Sequence, residues 1–276
     1  MRPHDVVFTI SLIAILIQKA AGHAAEPSCA SEKASSSVLR VVLVRHAESF
    51  NNVLNLVSHD YYRDNRLADP PITTLGEEQA GAAARFISES RSGLMQHISE
   101  VHISPTLRTL QTARPIMARL PGVRAEVVLD IFEVGGVYNA NVTSGEAEGQ
   151  PGVARAAMSE FGYGLPDGVT EDGWYAREHG KETKAEGVAR ASKVAARLRE
   201  TAAALPTARK TIALVSHGDF IGMLLANLLG HGRGDASVGL AFKVRARTAA
   251  RRAHPARRRA RRRAAIGRLA SHRAGV

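Results

Sequence analysis

The stretch VLRVVLVRHAESFNN, residues 38–52, determines how the rest of the chain is interpreted. Its first part, residues 39–44, is a nearly continuous apolar run, typical of a central strand that is covered on both faces. The run ends abruptly at Arg45 and His46, and small or polar residues follow at once. Because ligands of open α/β sheets gather beyond the carboxyl ends of the strands, this pattern predicts functional side chains at a strand end.

A second stretch, TIALVSHGD at residues 211–219, has the same form. An apolar run again ends on a polar pair, here Ser216 and His217. A single histidine is most often an ordinary hydrogen-bonded imidazole. Two histidines at matched strand ends predict instead that His46 and His217 face each other across one pocket.

A third stretch, SPTLRTLQTA, follows a short predicted strand at residues 101–103. It places Arg108 one turn into a helix, from where the guanidinium can reach back to the same edge of the sheet. Two guanidinium groups and two imidazoles at one edge suit a dianion, and the planar fork of arginine suits phosphate oxygens in particular. The sequence therefore predicts a phosphate pocket formed by Arg45, His46, Arg108 and His217.

Strand and helix signals alternate along the chain and predict an α/β fold: a three-layer α/β/α domain with a mostly parallel central sheet. Residues 135–184 are rich in Gly and Glu and show weak periodicity, so we expect an inserted lid segment. Pro115 should kink or shorten the helix that contains it. The other predicted elements are helices at 75–87, 106–120, 185–205 and 220–229 and strands at 125–129 and 238–244.

The two ends of the chain differ in composition from its centre. Residues 245–276 contain twelve arginines and no Asp or Glu, so the net charge of +11 resides in this tail and the rest is near neutral. This tail consists mainly of Arg and Ala, with almost no larger apolar residues to bury a core, and we expect it to be disordered. It is either a basic arm for nucleic acid or membrane, or an artefact of the gene model, since a frame error or unspliced intron in a G+C-rich gene gives Arg/Ala-rich runs.

The N-terminus has the features of a leader. Arg2 precedes an apolar run at residues 6–17, which is short for a membrane span and suits a signal peptide. We therefore predict a leader at 1–24, a linker at 25–37 and a catalytic domain at 38–244, in the secretory pathway or outside the cell. A buried helix, an uncleaved anchor and an organellar leader are the alternatives. Cleavage would leave no stable membrane association.

Four stretches in order, LVRHAESFNN, DPPITTLGEEQA, SPTLRTLQTA and VSHGD, resemble the successive signatures of the histidine phosphatase superfamily, phosphoglycerate mutase-like branch. The resemblance spans residues 38–230. Ala47 is a departure, because the family usually has glycine there. DPPITTLGEEQA is expected to be scaffold behind the pocket, with Thr73 or Thr74 capping a helix.

The resemblance implies a role for each pocket residue. His46 is the nucleophile that accepts the phosphoryl group as phosphohistidine, which water then hydrolyses. Arg45, Arg108 and His217 bind the non-bridging oxygens, so that no metal or other cofactor is expected. Asn52 matches the asparagine of the family motif and adds a hydrogen bond to phosphate. Asn51 competes with it for this role.

The leaving group needs a proton, which in this family comes from a carboxylic acid after the third strand. The stretch LDIFEVGG contains two candidates, Glu133 and Asp130. Glu133 precedes a glycine pair as the acid of the family does, so Glu133 is the predicted acid. Asp219 is the next candidate, unless it caps the helix at 220–229. Trp174 and Tyr175 could line the substrate site, although an aromatic pair more often packs in a core.

Phosphatases and mutases share this machinery. Mutases of the family carry an adjacent arginine pair in the insertion, and residues 134–210 contain none. We therefore predict hydrolysis of a small phosphorylated substrate. Phosphoglycerate mutase-type phosphoryl transfer and a non-catalytic phospho-ligand binding protein are the alternatives. No nucleic acid partner is expected unless the arginine-rich tail is real.

Overall fold

The structure is a computed structural model. It describes residues 12–18 (backbone only), 38–89, 97–140, 146–176, 178, 180–205 and 209–230. The predicted linker, the predicted strand at 238–244, the tail at 245–276 and most of the predicted leader lie outside the described residues.

A five-stranded sheet forms the centre of the fold. Its strands are, in spatial order, β1 (Leu12–Gln18), β2 (Val38–Arg45), β7 (Arg209–Ser216), β3 (Ile98–Ile103) and β4 (Arg124–Val127). β1 is antiparallel to β2, and the other three neighbouring pairs are parallel. The predicted mostly parallel sheet is confirmed.

β1 lies within the segment predicted as the core of a leader. Its backbone pairs with the whole of β2, from Leu12 opposite Val44 to Gln18 opposite Val38. The described part of the segment is therefore an edge strand and not the buried helix that was the alternative. Removal of a leader stays a prediction.

Helices cover both faces of the sheet. α3 and α4 pack on one face, α6 and α7 pack on the other, and α1 and α2 lie after β2. The inserted segment contributes a small hairpin of β5 and β6 and the short helix α5. The bounds are α1 Phe50–Val57, α2 His59–Asn65, α3 Thr74–Glu89, α4 Leu107–Met117, β5 Tyr138–Ala140, β6 Ala147–Gly149, α5 Arg155–Ser159, α6 Lys184–Ala204 and α7 Gly218–Leu228.

The central strands supply the apolar surface for both layers. In β2, Val42 and Val44 contact the cluster beneath α3 and α4, whereas Val41 and Leu43 contact the cluster beneath α6 and α7. This alternation explains the continuous apolar run, because a strand that is covered on both faces has no side that faces water.

None of the helices that the structure describes is long and apolar enough to cross a membrane.

Several helix boundaries differ from the sequence predictions. α4 ends at Met117, because Pro115 removes one backbone donor near its end. α7 begins at Gly218, so Asp219 lies inside the first turn and is not the cap. The helices α1 and α2 were not predicted, because α1 buries only Val53 and Leu54 and α2 buries no residue.

α3 holds the loop that follows β2. Thr73 caps α3 by accepting the N–H of Gly76 at 3.0 Å, and its own N–H donates to the carbonyl of Glu48 at 2.9 Å. The side chain of Gln79 accepts the N–H of Glu48 at 2.8 Å. A Cβ on Gly76 would lie 2.3 Å from the carbonyl oxygen of Glu48, so only glycine allows this approach. The scaffold role predicted for this motif agrees with these contacts.

Replacing Gly76 with alanine should therefore destabilise the protein. We expect Gly76→Ala to lower the free energy of unfolding by about 1–3 kcal/mol, because the backbone of the loop has to move. Gly81→Ala is the matched control in the same helix, since its Cβ would meet only the end of the Arg85 side chain at 3.7 Å. The control should be neutral or stabilising by up to about 1 kcal/mol. Urea unfolding of both variants measures the difference, and equal losses would contradict the steric explanation.

Candidate active site

The two predicted histidines lie next to each other at the carboxyl ends of β2 and β7. The ring centroids of His46 and His217 are 5.2 Å apart, and both side chains are buried. The N–H of His46 donates to the carbonyl of Ser216 at 2.9 Å, so the pairing of the two strands continues one residue beyond β2. The in-register parallel pairing thus brings the two imidazoles together.

The tautomer of His46 follows from its contact with Ala47. Nδ1 of His46 lies 2.7 Å from the carbonyl oxygen of Ala47, which only accepts hydrogen bonds. Nδ1 therefore carries the proton, and Nε2 has a free lone pair. Burial, followed by the charges of Arg108 and Arg45, holds the pKa of His46 well below its usual value. The ring is neutral at neutral pH, as a nitrogen nucleophile requires.

Arg108 joins the histidine pair from the first turn of α4. Its Nη2 lies 3.1 Å from Nδ1 of His217, and its side chain is buried. Burial lowers the pKa of Arg108, while the charges of Asp69 and Glu133 raise it. The carboxyl groups of Asp69 and Glu133 thus offset part of the cost of burying the guanidinium.

Asp69 orients this arginine, although its function was not recognised from the sequence. Its carboxylate accepts the N–H of Leu107 with both oxygens at 3.1 Å, and it lies 3.5 Å from Nη1 of Arg108. Burial raises its pKa to about 6, against the opposing effects of Arg108 and the Leu107 N–H. Asp69 therefore fixes both the start of α4 and the position of the Arg108 side chain.

Arg45 has a buried donor that no described group satisfies. Its Nε has no hydrogen-bond partner in the described part of the chain. A Cβ on Gly218 would lie 3.3 Å from this nitrogen, which shows that the side chain lies against the start of α7, directly after His217. An unsatisfied buried N–H is costly, so this donor indicates an anion-binding position.

Glu133 lies where the start of α7 meets the loop after β4. Its Oε1 accepts the N–H of Val134 at 2.9 Å and of Phe220 at 3.2 Å. Burial, and then the charge of Asp219, raises the pKa of Glu133, although Arg108 and the two N–H groups oppose this change. A raised pKa suits a group that donates a proton near neutral pH.

A buried ion pair holds the loop that carries Glu133. Arg190 on α6 binds Glu182 through two contacts of 2.8 and 2.7 Å, and it donates to the carbonyls of Asp130 and Phe132, each at 2.9 Å. Its guanidinium also lies 3.5 Å from the centroid of the Phe132 ring. Arg190 was not identified as a functional residue from the sequence. No local pattern marks it, because its partners are distant in the chain.

The contacts of Asn51 and Asn52 distinguish between these two candidates. Asn51 uses both ends of its amide on the backbone of Leu67, at 2.8 and 3.0 Å. Asn52 uses Oδ1 to accept from the N–H and the hydroxyl of Ser49, each at 3.0 Å. This leaves the Nδ2 donor of Asn52 for another partner, whereas Asn51 has a structural role.

Comparison with a family model agrees with the motif assignment. Residues 41–136 match the model of the histidine phosphatase superfamily, branch 1. The predicted resemblance to this superfamily is confirmed. The matched segment contains Arg45, His46, Asn52, Arg108 and Glu133, and it ends before His217.

Similar proteins extend this histidine phosphatase comparison. Phosphoglycerate mutase-like protein 2 from Arabidopsis thaliana is 39% identical over 71 residues, which are 26% of this chain and 20% of that protein. This chain therefore matches about a fifth of the length of that relative. Ecdysone phosphate phosphatase from Bombyx mori, in complex with tungstate, has a TM-score of 0.44 at 19% identity over 79% of this chain and 83% of that one. A mycobacterial glucosyl-3-phosphoglycerate phosphatase has a TM-score of 0.40 at 22% identity over 69% and 79% of the two chains.

The remaining candidates lie around this pocket. Asp130 forms an ion pair of 2.7 Å with Arg197, and both side chains are about half exposed. Asp219 is exposed in the first turn of α7 and is not its cap, because the helix begins at Gly218 and His217 occupies the cap position. Trp174 and Tyr175 pack against the Phe132 ring, with centroid distances of 5.3 and 5.7 Å. The aromatic pair therefore supports the loop that carries Glu133 through its contacts with Phe132.

The Arg190 pair provides a test of how the acid loop is held. We expect Arg190→Met to lower the free energy of unfolding by about 3–5 kcal/mol, because it leaves the buried Glu182 without its partner. Arg197→Met is the matched control on the same helix, and loss of its exposed pair should change stability by less than about 1 kcal/mol. Thermal and urea unfolding of both variants measure the difference. Similar stabilities would show that the buried pair does not hold the loop.

Proposed function

We propose that this protein is a phosphatase that hydrolyses phosphomonoesters through a covalent phosphohistidine on Nε2 of His46. The observation that carries the proposal is the tautomer of this histidine. The carbonyl of Ala47 holds the proton on Nδ1 and leaves a neutral Nε2 lone pair in a buried pocket with His217 and Arg108. A neutral imidazole has a lone pair with which it can attack phosphorus. The neighbouring guanidinium groups attract the anionic phosphoryl group to it.

Two displacements complete the reaction. In the first, Nε2 of His46 forms a bond to phosphorus, the bond from phosphorus to the ester oxygen breaks, and protonated Glu133 gives its proton to the departing oxygen. In the second, ionised Glu133 takes a proton from water, the water oxygen bonds to phosphorus, and the phosphorus–nitrogen bond breaks. Phosphate leaves, and His46 and Glu133 return to their starting states.

Charge in the transition state resides on the non-bridging phosphoryl oxygens. Arg108 and the unsatisfied Nε–H of Arg45 would bind these oxygens, together with His217 and the Nδ2 group of Asn52. Fixed donors stabilise this charge without reorganisation during the reaction. The geometry of Arg108 is preset by Asp69, so binding does not have to order this side chain.

We assign the leaving group to a cavity beside Asp69, because Asp69 contacts Arg108 of the pocket. The cavity has a volume of about 310 Å³, and among the described residues that line it only Asp69 is charged. An acidic leaving group such as glycerate would find no cation there. The absence of adjacent arginines between residues 134 and 210 also argues against a mutase. The cavity is lined by Ala68, Asp69, Leu107, Val137, Gln150, Pro151, Gly152 and Val153.

The nucleophile is tested with the full chain and an aryl phosphate. His46→Asn should lower kcat by about a thousandfold or more, because the reaction loses its covalent step. His102→Asn, which alters an imidazole paired with Glu100 and Glu126 away from the pocket, should leave kcat unchanged. Rapid quenching with a ³²P-labelled substrate should give acid-labile label on His46 in the parent protein. Full turnover without such label would refute the phosphohistidine, and rapid isomerisation of phosphoglycerate would establish a mutase.

The acid role of Glu133 predicts a specific pH dependence. Glu133 must be protonated to act, so kcat/KM for alkyl phosphates should fall as pH rises through its raised pKa. Asp219→Asn removes a charge that raises this pKa. The fall should then occur at lower pH.

The same acid role predicts a dependence on the leaving group. Glu133→Gln should affect alkyl phosphates far more than nitrophenyl phosphate, whose leaving group needs no proton. Asp130→Asn is the control, because this exposed carboxylate pairs with Arg197.

For the pH dependence, the comparison is between Asp219→Asn and the parent protein. Identical pH profiles of kcat/KM for the two proteins would rule out the assigned electrostatic coupling between Asp219 and Glu133.

A further inference from the structure

His217 is enclosed by hydroxyl groups on the side away from Arg108. Its Nε2 lies 2.8 Å from the hydroxyl of Ser104 and 3.4 Å from that of Thr106. Its Nδ1 lies 3.1 Å from Nη2 of Arg108. His217 and Ser104 are fully buried, and Thr106 is nearly so, so water does not substitute for these contacts.

These contacts assign the tautomer of His217. A guanidinium group only donates hydrogen bonds, so Nδ1 of His217 accepts from Arg108. Nε2 then carries the proton and donates to the hydroxyl of Ser104. Burial lowers the pKa of His217, as do the charges of Arg108, Arg190 and Arg45, so the neutral ring is the stable form.

This resting tautomer is the wrong one for binding a phosphoryl group. The Nε2 side faces Ser104, so an anion that Arg108 binds would meet the Nδ1 side of the ring. In the resting state Nδ1 presents a lone pair, which a phosphoryl oxygen would repel. His217 contributes to the clamp only if a proton is present on Nδ1.

We infer that Ser104 is a positioning residue whose hydroxyl allows His217 to exchange tautomers when a phosphoryl group binds. The inference rests on the proposed function, since it concerns the same anion site. In the exchange, Nε2 releases its proton to solvent and Nδ1 takes one up from solvent, so the ring stays neutral. Arg108 then donates to the phosphoryl oxygen instead of to Nδ1. The hydroxyl of Ser104 stops accepting from Nε2–H and instead donates to the bare Nε2. A hydroxyl can do both, because it is a donor and an acceptor at once.

Thr106 does not replace Ser104 in this role. Its hydroxyl is 3.4 Å from Nε2 and makes a shorter contact of 2.8 Å with the hydroxyl of Thr109. Thr109 in turn lies 2.8 Å from the carbonyl of Ser104, to which it donates. The neighbouring hydroxyls thus position Ser104 and leave its own hydroxyl as the partner of His217.

Nitrogen-15 NMR of full-length protein with labelled histidine tests the exchange directly. In the free protein, His217 should show a protonated Nε2 and an unprotonated Nδ1. Saturating inorganic phosphate, or vanadate, should reverse this pattern. His46 serves as the internal reference, because its Nδ1 should stay protonated throughout. An unchanged tautomer, or an imidazolium with both nitrogens protonated in the complex, would overturn the inference.

Variants of Ser104 separate positioning from packing. Ser104→Ala should hold the Nε2–H tautomer in the presence of phosphate and weaken phosphate binding about tenfold or more. Ser104→Thr keeps the hydroxyl and should restore the exchange. Phosphate titration in the NMR experiment does not depend on turnover, so a parent protein that binds phosphate without hydrolysing esters would refute the proposed function alone. Normal exchange in Ser104→Ala would refute the role of the hydroxyl.

Discussion

The parallel pairing of β2 with β7 is the constraint on which the candidate site depends. Arg45 pairs with Ser216, and one further hydrogen bond joins His46 to the carbonyl of Ser216. Arg45 and Ser216, which are about 170 positions apart in the chain, thus lie side by side at the carboxyl ends of their strands. A shift of one residue in this register would turn every side chain of β2 to the opposite face. The apolar residues of both layers oppose such a shift, so the cores that stabilise the fold also align the histidines.

Placing so many cations in a buried pocket requires compensation from the surrounding layers. Arg108 is compensated by Asp69, which precedes α3, and Arg190 is compensated by Glu182, which precedes α6. The Nε group of Arg45 has no described partner, and we propose that it binds the anion. The ion pairs thus fix the side chains of Arg108 and Arg190, whereas the Nε–H group of Arg45 is held by packing alone. Arg108 would therefore bind the anion from a preset position.

The sequence predicted the fold and the residues at the strand ends better than it predicted their supports. Continuous apolar runs ending on Arg45 and His46, and on Ser216 and His217, are local patterns that report burial directly. Asp69 and Arg190 were missed as functional supports, because their partners lie 39 and 8 residues away and no periodicity links them. Asp219 was given a capping alternative that is wrong, because α7 begins one residue earlier, at Gly218, and His217 occupies the cap position. Helices α1 and α2 were missed, because they contribute little to the core.

The loop that carries Glu133 is anchored separately from the groups that would bind the anion. Arg190 and the aromatic cluster of Phe132, Trp174 and Tyr175 hold this loop, whereas α3 and α4 hold the loop of His46 and the side chain of Arg108. Substitutions in one support need not disturb the other. In evolution, related proteins could therefore change the loop of Glu133, and with it the alcohols that they release. The groups that would bind the phosphoryl oxygens could stay the same.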